Sequence, residues 1–267
     1  LTIMLKQMFS EDGEGKTPAL LGTSRLRTKL LIVTKNATTG SPWPLTNNPK
    51  AKYNQAGTPG NNLLLPLWQI IRASTAAPTF YPPERVIIHG DTDEFKNGTE
   101  CLFEDGGVTP YNNPAHLLYL KATLPEYRTE WPSGRDQLHL VSIGTGMIKL
   151  NRKSRNEPKL LETATRLPVS LIQSYQQNQD LLCRAHGETL FGEPIDSELG
   201  DLIRPNPNAC FTYVRYNHLF TEDEFPTSPI AIPTDLPMDN LKIIPFLLKY
   251  GESYAKQHVK VEHLRLS

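Results

Sequence analysis

Short apolar, β-branched runs alternate along this chain with stretches of helical period, and glycine or proline cuts off most of them. Arg27-Thr-Lys-Leu-Leu-Ile-Val-Thr34 has the composition of a strand buried at a sheet centre. Val86-Ile-Ile-His89 and Glu100-Cys-Leu-Phe103 read as two strands around a polar turn holding Asp91, Asn97 and Gly98. Asp105-Gly106-Gly107 closes the second of them. Gln137-Leu-His-Leu-Val-Ser-Ile143 is the last core strand, cut off by Gly144-Thr145-Gly146. Between these, Pro66 suits a first helical turn, with Leu67, Ile70, Ile71 and Ser74 on one face. Pro78, Pro82 and Pro83 then end that helix. Further helices are expected over Asn113–Leu120, Leu160–Leu190 and Leu241–His258, and a polar loop from Asn36 to Asn62. Strands alternating with helices argue for an α/β domain.

With 267 residues the chain can bury a substantial core. Lys+Arg and Asp+Glu balance at 28 each, so no basic field points to nucleic acid as a partner. Cys101, Cys183 and Cys210 are odd in number and widely spaced, which excludes a disulfide framework and offers no zinc spacing. A reducing, cytoplasmic setting follows as an expectation. No stretch reaches the roughly 18 consecutive apolar residues of a membrane span. Leu1–Phe9 already reads as a helix in progress, so the sequence is expected to begin inside a domain. Residues 1–200 are expected to form the main domain, and 201–267 a helical and irregular extension packed on it.

Taken alone, Asp105-Gly106-Gly107 is a routine turn after a strand, because glycine tolerates positive φ and aspartate caps its own backbone. Its neighbours change that reading. Ile71-Arg-Ala-Ser-Thr-Ala-Ala-Pro-Thr-Phe80 lies upstream and Val141-Ser-Ile-Gly-Thr-Gly146 downstream. A helix reading (R)AS-x-AAP, a strand ending in DGG and a strand reading (L)SIGTG, in this order, resemble the patatin-like phospholipases. The resemblance runs from about Arg27 to Gly146, and more weakly to Gly200.

That resemblance implies a three-layer sandwich with a central, mostly parallel sheet flanked by helices. It also implies a lipid acyl hydrolase of the phospholipase A or lysophospholipase type, working through a Ser–Asp dyad without metal or cofactor. Asp105 would be the base, and Gly106 and Gly107 the glycines of the turn that aims it. The substrate would be a phospholipid or another acyl ester, met in transient contact with a membrane surface. The serine of such enzymes sits in a G-x-S-x-G elbow. The 267 residues contain none. The nucleophile and the first strands of the sheet are therefore expected in an N-terminal segment outside this sequence. The alternative is a catalytically silent lipid-binding or interaction module.

Other residues read more plainly. Ser74 is a small residue for close helix–strand packing, Ser142 packs within its strand, and Ser24 is a loop or cap residue. None of the seven histidines has a distinctive context. Gly144-Thr145-Gly146 is a tight turn rather than a phosphate loop, lacking a third glycine and a following helix. Asp91 and Asp93 read as a polar loop tip rather than a calcium site. Leu167, Leu171, Tyr175, Asn178, Leu182 and Ala185 fall at helical spacing as a core face. Leu63-Leu-Leu-Pro-Leu-Trp68 reads as buried chain, with an interfacial lip as the alternative.

Overall fold

The computed structural model describes residues 1–55, 60–90, 93–148, 160–220 and 241–264. They fall into two compact units, Leu1–Pro132 with Ala164–Leu182 and Ser133–Thr163 with Cys183–Ser267.

In the first unit, helix α1 (Thr2–Met8) precedes a hairpin of β1 (Leu31–Asn36) and β2 (Ser41–Thr46), paired from Leu31↔Thr46 to Asn36↔Ser41. Asn36 closes its turn: its carbonyl accepts from Gly40 N–H at 2.8 Å and its Oδ1 from Thr39 N–H at 3.1 Å. Gly40 takes the left-handed conformation there, at φ 75°. Strand β2 falls inside the stretch expected to be loop. Pro42 and Pro44 disguise it, since proline cannot donate to a ladder. They are tolerated because β2 is the edge of a four-stranded sheet of order β2-β1-β4-β3.

Helix α2 (Leu67–Ser74) begins behind Pro66 and buries Leu67, Ile70 and Ala73. It packs on β1, on β3 (Glu84–Ile88) and, beyond the short helix α3 (Asp93–Lys96), on β4 (Thr99–Asp105). Helix α4 (Ala115–Thr123) follows. Leu21, Leu45, Leu65, Val86 and Phe103 complete the core, with the Trp43 and Phe103 rings 5.0 Å apart. Each fully buried aliphatic or aromatic side chain of this kind stabilises the fold by roughly 1.5–3 kcal/mol.

All three pairings in this sheet are antiparallel, so the strand that carries Asp105 does not lie in the mostly parallel sheet expected. Connection length explains the β1–β2 and β3–β4 pairings. A parallel pair needs a crossover of about a dozen residues or more, and the connections over residues 37–40 and 89–98 are shorter than that.

Parallel pairing belongs to the second unit. Here β5 (His139–Ile143), β7 (Glu188–Phe191) and β8 (Thr212–Tyr216) form a three-stranded sheet of order β5-β8-β7. The short strands β6 (Met147–Ile148) and β9 (Leu219–Phe220) also pair in parallel. Helix α5 (Leu160–His186) lies in the connection from β5 to β7, and α6 (Ile244–His258) follows later in the chain. Every residue of β8 is buried. Strand β8 lies beyond residue 200, yet pairs with strands from before it.

The face of α5 is also out of phase with the sequence reading. Leu167, Leu171, Asn178 and Ala185 are exposed, while Gln179, Cys183 and Arg184 are buried. Arg184 Nη1 donates to the Asp201 carbonyl at 2.7 Å, so a polar position takes the inner face through a backbone partner. Among the described residues, no helix is long and apolar enough to cross a membrane.

Candidate functional site

Asp105 is the last residue of β4, opposite Thr34 of β1. The chain turns at once into a single 3-10 turn, Gly106–Val108, which Asp105 caps: its Oδ1 accepts from Gly107 N–H at 2.7 Å. Oδ2 takes no hydrogen bond from any described residue. Burial pushes the carboxyl above its ordinary value, and the Gly107 N–H opposes that in part. A carboxyl held this way retains one oxygen for orientation and one for proton exchange.

The glycines are required by space. A Cβ on Gly106 would run into the Val33 carbonyl. On Gly107 it would come within 3.0 Å of Asp105 Oδ1 and 3.1 Å of Asn112 Oδ1. Two of the three sequence blocks meet at this point. The Asp105 N–H donates to the Ala76 carbonyl at 3.0 Å, and Ser74 Oγ donates to the Val33 carbonyl at 2.8 Å. Ser74 thus packs helix α2 onto β1, as the sequence reading has it.

The third block belongs to the second unit. Ser142 is buried and accepts from Arg215 Nη1 at 2.8 Å. Gly144 N–H donates to the Tyr216 carbonyl at 2.7 Å and Gly146 N–H to Asn217 Oδ1 at 3.1 Å. Both glycine amides are spent within the protein, which makes this segment a tight turn.

Ser24 lies in an exposed turn. Asp91 lies outside the described residues, and Asp93 opens α3. Among the described residues, no group of three or more His, Cys, Asp or Glu side chains converges as metal ligands. Leu65 and Leu67 are in the core and only Leu64 of its stretch is exposed, which favours burial over an interfacial lip.

Sequence reasoning missed two features. His218 Nδ1 pairs with Glu193 Oε1 at 2.8 Å in the second unit, and burial together with Glu193 pushes the nearby Tyr254 phenol up. In the first unit, Lys121 lines a cavity of about 610 Å³. Compared with known proteins, the chain matches no family model and no curated protein.

Proposed function

We propose that this chain carries the general base of a lipid acyl hydrolase of the phospholipase A or lysophospholipase type, and that Asp105 is that base. The observation that supports this most is the state of the Asp105 carboxyl: fixed through Oδ1 to Gly107, unengaged at Oδ2, and raised by burial. A carboxylate tuned upward can accept the proton of an attacking serine and return it to the leaving alcohol. Water then hydrolyses the acyl-enzyme by the same exchange.

Because residues 1–267 contain no G-x-S-x-G, the proposal places the serine outside them, together with further strands of a patatin-like three-layer sandwich. The DGG and (R)AS-x-AAP blocks, bonded to each other through Asp105 and Ala76, support the resemblance on which this rests. The substrate is a phospholipid or another acyl ester, reached from the cytoplasm in transient contact with a membrane surface.

The test is turnover of a phospholipid by the native protein and by its Asp105→Asn variant, with circular dichroism to confirm that the fold is kept. Loss of the base predicts a fall in kcat of at least about 100-fold. Near wild-type turnover by the variant rules out Asp105 as the base.

A further inference from the structure

The cavity beside Lys121 is lined by residues from several separate segments of the first unit. Trp43 and Leu45 come from β2, Ile88 from the end of β3, and Leu117 and Lys121 from one face of α4, four residues apart. Tyr53, Tyr111 and Tyr127 add their rings. At about 610 Å³ it lies within the span of small-molecule sites, roughly 300–1,000 Å³. Asp105 is not among its lining residues.

Among the described residues of that lining, Lys121 is the one charged group. Its Nζ sits 3.9 Å from the Tyr127 ring centroid, yet among the described residues it has no carboxylate and no hydrogen-bond acceptor. Burial lowers it to about 8. An ammonium drawn into an apolar wall without an anion is poorly compensated, since a ring face returns only part of the lost hydration. A ligand that brings both an apolar body and a negative charge satisfies the two halves of the cavity together.

We propose that this cavity binds a small amphipathic carboxylate, with its apolar body against Trp43, Leu45 and Ile88 and its carboxylate on the Lys121 ammonium. The site stands apart from the hydrolase reading. Binding is measured without turnover, so a failed titration leaves the Asp105 reading intact, and a failed hydrolysis assay leaves this one intact.

The experiment is calorimetric titration of the full protein with dodecanoate and with dodecanol, each below its aggregation limit. At pH 7 dodecanoate is expected to bind one to one and at least tenfold more tightly than dodecanol. That advantage shrinks as the pH rises past about 8 and the free amine loses its proton. The variant Lys121→Met brings the two ligands within about twofold of each other. Lys121→Arg, whose charge persists at every accessible pH, keeps the advantage at pH 9.5. Equal binding of dodecanoate and dodecanol by the wild-type protein overturns the proposal, as does a Lys121→Met variant that still prefers dodecanoate tenfold. Loss of the advantage in Lys121→Arg at pH 9.5 also counts against it.

Discussion

The backbone N–H of Asp105 donates to the carbonyl of Ala76 at 3.0 Å, tying the end of β4 to the segment that leaves α2. One residue away, Gly106 abuts the Val33 carbonyl that Ser74 holds at 2.8 Å. The position of the Asp105 carboxylate is therefore set by three segments distant in sequence.

Gly106→Ala should be among the most damaging small substitutions in the first unit. Its Cβ meets backbone rather than a side chain that could swing aside, so β4 must shift away from β1. Overpacking of this kind costs typically 1–3 kcal/mol, and about the upper end is expected here by urea denaturation. Ser74→Ala removes one hydrogen bond and should cost only about 0.5–1.5 kcal/mol.

Asp105→Asn should stabilise the fold at neutral pH while abolishing hydrolysis. Burial raises the folded carboxyl above its unfolded value, so the folded state binds the proton more tightly. Stability therefore falls as the pH rises from the unfolded value through the folded one, and above that window the charged form carries its full penalty. Asparagine removes the charge and keeps an oxygen for Gly107. A higher Tm for the variant at pH 7, with the difference shrinking toward pH 3, is the expected result. A lower Tm at pH 7 contradicts it.

Lys121→Met should show its own pH signature. Here the folded value lies at about 8 against 10.5 unfolded, so the ammonium destabilises the fold below pH 8 and the penalty fades as the pH rises to 10.5. The variant should exceed the wild type in stability at pH 7 by on the order of 1 kcal/mol, after discounting for solvent screening, and match it near pH 11. Thermal melts across that range check the sign.

Legibility in the sequence followed whether a residue's role is local. Helix α2, the pair β3–β4 and the turn at Asp105 declare themselves through proline, glycine and β-branched runs. Strand β2 does not, because Pro42 and Pro44 are permitted only by its place at the sheet edge, a fact of assembly. The inner face of α5 escapes pattern reading because Gln179 and Arg184 are buried there, Arg184 through a distant carbonyl. Lys121 looks like any lysine in the last turn of a helix, where it complements the dipole. Only the folding of β2 and the tyrosines around it makes it the charge in an apolar cavity.

The central claim, that Asp105 serves a serine outside these residues, is tested most directly by labelling. The native protein would be treated with a fluorophosphonate that modifies activated serines, and its intact mass and modified peptide determined. The account predicts one adduct per chain, on a serine outside residues 1–267, that is lost in Asp105→Asn. No adduct, or an adduct on a serine within these residues, contradicts it; the first result would leave a silent lipid-binding module.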